Sequence, residues 1–249
     1  MRLGRRIEHV SETLFNIVPT DDRIVPTATL HVEVIADFVC PFCFLGKRRL
    51  DQALQAVEGP SDVSWYPFQL NPDIPAEGQP FDEYLGQRFG GADNIAPLLE
   101  QLAEEGRADG VNLAWDKIRH VPNTLPAHQL MQHAAAHGKD QAALGDDLMS
   151  AFFEEGRNIG ERDVLVDIAR RHGIRGRDTR KAIVNDHLRQ ATVMREAQVR
   201  SSGLNAAPGF LLNRRLLVVG AQPTDNLVNA FDRAMFGEGT DAIVSPALH

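Results

Sequence analysis

The sequence predicts an α/β protein in which one sheet is split by a large all-helical insertion. Two observations carry this. Residues 31–70 read strand, helix, strand, and residues 186–237 read helix, strand, strand, helix. From 81 to about 185 the pattern between them is almost wholly helical. A run of helices between two mixed halves suits one sheet with an insertion.

The chain divides into 1–29, 30–80, 81–185 and 186–249. In the first stretch Leu3, Ile7, Val10, Leu14 and Ile17 form one helical stripe, and residues 19–29 read as an extended linker. This arm is expected to hold a homodimer; packing on the chain's own insertion helices is the alternative. "HVEVIA" (31–36) is a strand rich in β-branched residues. A helix follows from about Phe42 to Val57, with Leu45, Leu50, Ala53, Leu54 and Val57 near one face and Lys47, Arg48 and Asp51 pointing elsewhere. "DVSWYPFQL" (62–70) is a second strand, parallel to the first, and Pro67 suits an edge position. Residues 71–80 read as a loop.

In the insertion, helices are expected at 94–110, 123–140, 141–160, 161–173 and 178–187, with Asn123 as a cap and Gly138 as a stop. A further helix, 186–203, stops at Gly203. "GFLLN" and "RLLVVG" flank Arg214 as a tight hairpin, and 224–237 is the last helix.

Composition bounds the function classes. With 43% hydrophobic and 24% charged residues the chain is an ordinary globular one, and no run is long and apolar enough to span a bilayer. A net charge of −8 argues against a nucleic-acid footprint. Arg2, Arg5 and Arg6 raise the question of a targeting peptide, but no apolar core follows, and Glu8 and Glu12 do not suit a transit peptide. The chain therefore reads as cytoplasmic, where thiols are kept reduced and a CxxC leans toward redox or metal chemistry.

The two cysteines, Cys40 and Cys43, are the central feature. Cys40 ends a strand-to-helix turn, and Pro41 suits the first helical position. A thiol at that end faces unpaired backbone N–H groups and the positive end of the helix dipole, both of which favour thiolate, the attacking species in disulfide exchange. Cys40 is expected at an exposed helix start. Cys43, nearly one turn further in, is placed to resolve a mixed disulfide. Two other readings compete. The cysteines could be unreactive core residues, or half of a zinc site completed by histidines such as His133 and His137. The placement at the turn favours the redox dithiol.

The stretches "ADFVCPFCFLGKRRLDQAL", "VPNTLPAHQL" (121–130), "FFEEGRNIGERDVL" (152–165) and "VVGAQP" (218–223) resemble the DsbA-type thioredoxin superfamily, and most closely its FrnE-like dithiol–disulfide oxidoreductases. The likeness runs through residues 31–237. It implies a thioredoxin fold with a helical insertion, Cys40 as attacking thiol, Cys43 as resolving thiol and Pro208 as a cis-proline facing them. The plainer alternative for Pro208 is an ordinary trans proline opening a strand. The resemblance further implies substrate contacts at Pro41, Phe42, Ala207, Asn123 and His128. His128 is expected to line the cleft, with a partly buried structural histidine as the plainer reading. Asp37 is expected as a solvated loop acid, with proton transfer for Cys43 as the alternative, and Arg48 and Arg49 as a solvated face. The family commonly has Val-Pro followed by a large aromatic or Thr, whereas Ala207-Pro208-Gly209 is smaller, which should open space beside the sulfur and loosen the next strand.

The expected activity is that of a thiol–disulfide oxidoreductase or isomerase, without a bound metal or other cofactor. It would act on protein or small-molecule thiols and disulfides and draw on a cellular thiol reductant, with glutathione as a candidate co-substrate. Two alternatives stand beside it. One is a glutathione-dependent isomerase or transferase of the hydroxychromene-carboxylate isomerase or kappa-class type. The other is a non-catalytic binding protein on the same scaffold.

Overall fold

The computed structural model describes residues 29–237 and the backbone of 243–244. The expected arm helix, and the dimer built on it, lie outside the described residues.

Strand β1 (Leu30–Ala36) leads through a short turn into helix α1 (Pro41–Ala56), which returns to β2 (Ser61–Pro67). β1 and β2 are parallel neighbours, with Val32 opposite Val63 and Val34 opposite Trp65. Helix α8 (Asp186–Ser201) leads to β5 (Gly209–Leu212) and β6 (Leu216–Val219), and α9 (Thr224–Phe236) follows. β5 lies antiparallel to both β1 and β6. The sheet order is β2-β1-β5-β6-β7, the last strand being the short β7 (Ile243–Val244), parallel to β6. Pro67 thus ends an edge strand, where a missing N–H costs no ladder bond.

Period-two alternation decides which side chains meet which layer. Val32, Val34 and Ala36 join Leu45, Leu50, Phe210, Val218 and Phe231 in the main core beneath α1 and α9. Ile35 points the other way and packs with Phe68, Val199 and Leu204 under α8. Burying each such aliphatic side chain contributes about 1.5–3 kcal/mol. The hairpin turns at Asn213 and Arg214, whose φ values of 48° and 54° make a type I′ turn, the one that matches strand twist.

The insertion holds α2 (Phe81–Phe89), α3 (Ala92–Ala108), α4 (Leu125–Ala136), α5 (Gln141–Phe153), α6 (Arg162–Arg171) and α7 (Gly176–Ala182). It is not wholly helical. β3 (Gln79–Pro80), inside the expected loop 71–80, pairs antiparallel with β4 (His120–Val121). Two-residue strands carry no periodicity, so sequence pattern misses them. The extra β7 in the tail was missed for the same reason.

Candidate active site

The site is assembled where β1 gives way to α1. Cys40 is the N-cap residue of α1, in extended conformation, with Pro41 at the first helical position. Both cysteines are free thiols. Cys40 is only 3% exposed, which corrects the expectation of an open helix start. The Ala207 carbonyl oxygen stands 4.0 Å from its sulfur and helps enclose it. The Ala207–Pro208 peptide is cis. Pro208 is held in turn by its own carbonyl, which accepts the Gly220 N–H at 2.8 Å. The "GAQP" stretch is therefore the backbone brace of the proline segment.

Gly46 explains how α1 and the proline come so close. A Cβ there would sit 2.9 Å from Pro208 Cγ and 3.4 Å from Ala221 Cα. Glycine costs roughly 1 kcal/mol against alanine inside a helix, so an interior glycine needs a packing reason, and this contact supplies one. Sequence reasoning passed over Gly46, although an isolated Gly three residues after Cys43 was the available signal.

Cys43 is fully buried. Burial pushes its thiol well above the ordinary cysteine range, and the hydrogen bond and charge of Cys40 push the same way. A backbone hydrogen bond at Asp37 opposes this, while the Asp37 charge adds to it. The first thiol thus lies at the helix end beside the proline segment, and the second keeps its proton in the interior.

Asp37 is not a solvated loop acid; it is 0% exposed. One carboxylate oxygen accepts the Phe38 N–H at 2.8 Å and the other accepts the Leu70 N–H at 2.6 Å. The β1–α1 turn buries it because these backbone donors need an acceptor there. His128 does not line the cleft. It is 1% exposed, with its ring 4.7 Å from that of Phe38. Its Nε2 lies 3.4 Å from Asp37 Oδ1. Helix α4 turns this residue inward along with Ala127, Leu130 and Met131.

The other expected contacts divide. Pro41, Phe42 and Ala207 are half-buried around Cys40, and Phe42 also packs on the main core. Asn123 is committed elsewhere: its amide donates to the Ile74 carbonyl at 2.7 Å and its oxygen accepts the Leu125 N–H at 3.0 Å, just ahead of α4. Gly209 leaves no open space, because a Cβ there would meet Leu204 Cδ2 at 2.9 Å. Its strand is not loosened either, being paired to Ile35 and Val219. Arg49 is not a solvated face, and Lys47 is buried at 1% exposure, its ammonium 2.6 Å from Asp51. His133 and His137 line a separate cleft of about 600 Å³ with Arg175, Asp178 and Lys181, one that excludes both cysteines. Among the described residues no three His, Cys, Asp or Glu side chains are grouped as a metal ion would require.

A second cleft, of about 290 Å³, is lined by Asn71, Gln79, Tyr84, Gln87 and Arg88. Burial raises the Tyr84 phenol above its ordinary value, and the charges of Cys40 and Asp37 act on it in the same sense.

Residues 31–232 match the DSBA-like thioredoxin domain. The chain belongs to that family. Family members are thiol–disulfide oxidoreductases. The DsbA-like chain is 28% identical over 218 residues to the uncharacterized protein YwbO of Bacillus subtilis, covering 84% of this chain and 98% of that one. A probable DsbA oxidoreductase from Streptomyces coelicolor superposes with a TM-score of 0.76 at 25% identity, over 85% of this chain and 92% of that one. The cytosolic disulfide reductase DsbM from Pseudomonas aeruginosa, in a structure with glutathione, shares the fold. It superposes with a TM-score of 0.52 at 20% identity, over 82% and 95% of the two chains. Among the described residues no helix of the DsbA-like chain is long and apolar enough to cross a membrane.

Proposed function

We propose that this chain is a dithiol–disulfide oxidoreductase or disulfide isomerase that works through Cys40 and Cys43. The observation that carries the reading is the Cys40 sulfur at a helix N-cap, 4.0 Å from the carbonyl that precedes Pro208. An extended substrate lying along that backbone brings its disulfide to the sulfur. The Cys40 thiolate attacks one substrate sulfur, and the other leaves as a thiolate. Cys43 then loses its proton and attacks Cys40 Sγ. The protein disulfide forms as the substrate departs as a second thiolate. Asp37, buried beside Cys43, is the group placed to take that proton. A thiol reductant returns the pair to the dithiol.

Glutathione fits this role as a small thiol. The polar cleft at Asn71, Tyr84 and Arg88 suits a charged peptide, and the related DsbM fold was solved with glutathione. A reducing cytoplasmic setting suits the same reading. The intact cysteine pair favours a dithiol cycle over single-residue activation of glutathione.

The test is covalent trapping. Cys43→Ser, incubated with glutathione disulfide and examined by intact mass, is expected to accumulate one glutathione adduct, because the first complex cannot collapse. Cys40→Ser is expected to accumulate little. Equal adducts on both variants would remove the assignment of roles.

A further inference from the structure

His128 is fully buried and neither ring nitrogen makes a hydrogen bond. A buried polar group without a partner costs about 1–3 kcal/mol, so such a group calls for an explanation. The Asp37 carboxylate lies beside it, with 3.4 Å between Nε2 and Oδ1 and both side chains at 0% exposure. That carboxylate is clamped by two backbone N–H groups and cannot swing away.

We propose that His128 is the second member of a proton relay: Cys43 passes its proton to Asp37, and Asp37 passes it to His128. The proposal rests on the dithiol reading and adds to it a role for the helical insertion. The step balances. The Cys43 S–H proton moves to the Asp37 carboxylate, and the sulfur's electron pair forms the bond to Cys40 Sγ. The bond from Cys40 Sγ to the substrate sulfur breaks, and its electron pair leaves on that sulfur, which takes a proton from water. Nε2 of a neutral imidazole accepts the proton from the Asp37 carboxyl, which restores the carboxylate beside an imidazolium. Reduction of the disulfide runs the same transfers backwards.

Lys47 and Tyr84 are committed to other partners. Lys47, on α1 one turn beyond Cys43, is bonded to both carboxylate oxygens of Asp51. Tyr84 on α2 shares its hydroxyl with Asn71 at 3.4 Å, and burial disfavours its ionisation. Cys40 is the electrophile in this step. The high proton affinity that burial gives Cys43 makes a relay useful, since a fully buried thiol has no water to take its proton.

The phases separate with 5,5′-dithiobis(2-nitrobenzoate) mixed with the reduced full-length chain in a stopped-flow instrument. Wild type is expected to release two thionitrobenzoates, the first when Cys40 attacks and the second when Cys43 resolves. His128→Gln should leave the first release within about twofold and slow the second at least about tenfold at neutral pH, the scale of lost acid–base assistance. The second release should recover as pH rises and the Cys43 thiol ionises without the relay. Asp37→Asn should slow it at least as much, and adding His128→Gln should slow it no further. A second release unchanged in His128→Gln, or both phases slowed alike, overturns the relay while a two-step wild type leaves the dithiol reading intact. A wild type that releases only one equivalent overturns both. Should the variant fold poorly, wild type labelled with ¹⁵N-histidine decides. Ring-nitrogen shifts of His128 should differ between dithiol and disulfide forms, and identical shifts at every pH overturn the relay.

Discussion

Cys43 holds a proton that the folded interior resists losing, and this makes stability depend on pH in a defined sense. Its folded value is raised, first by burial and then by Cys40. A raised acid keeps its proton in the native state while the unfolded chain gives it up. The unfolded state therefore binds fewer protons once the pH passes the ordinary thiol value, about 8.5, and stability falls as pH rises further. Below that value the contribution is fully present. The reduced protein should accordingly lose stability between about pH 8.5 and 10 in urea titrations run with reductant. Cys43→Ala should lack that part of the slope. Parallel pH curves for the two proteins would show that burial of this thiol is not what the fold resists.

At the scale of elements, α1 is seated by what it omits. Gly46 lets the helix approach Pro208, Phe210 and Ala221 more closely than any residue with a side chain allows. Pro208 is also tied to Gly220 through its carbonyl, so the proline segment cannot retreat without breaking a backbone bond. Gly46→Ala gains helix propensity of roughly 1 kcal/mol but overpacks a tight contact, which costs about 1–3 kcal/mol. The expected result is a net loss of about 1 kcal/mol in denaturant midpoint analysis and slower attack by Cys40, whose sulfur faces the same segment. A more stable Gly46→Ala with unchanged thiol kinetics would mean that the contact relaxes freely.

Over the whole molecule, the thioredoxin half and the insertion are joined by buried and half-buried polar contacts as well as by the core. Arg49 on α1 donates to Asp109 at 2.6 Å, to Glu105 at 3.1 Å and to the Ala221 carbonyl at 2.8 Å. One guanidinium thus clamps the end of α3 and the brace behind Pro208 together. Its side chain is 15% exposed, so its partners lose more than a surface pair would. Arg49→Met should cost about 2–3 kcal/mol of unfolding free energy, because Asp109 is left without its cation. Adding Asp109→Asn should recover part of that loss. A double variant no more stable than Arg49→Met would show that the ion pair is not the source.

The sequence by itself determined the β-α-β start, the α-β-β-α end, the hairpin about Arg214, and the placing of Cys40 and Cys43 at a strand-to-helix junction. Each of these rests on residues within a few positions of one another: alternation, glycine stops, a proline at a helix start. The tertiary structure alone decided that Asp37 is buried, that His128 faces it, that Lys47 and Arg49 point inward, and that 79–80 pair with 120–121. Those outcomes depend on partners far along the chain, such as Leu70 for Asp37 and Asp109 for Arg49. A charge reads as solvated in a local window because its cost of burial is local, whereas the donors that offset that cost arrive only when distant elements pack.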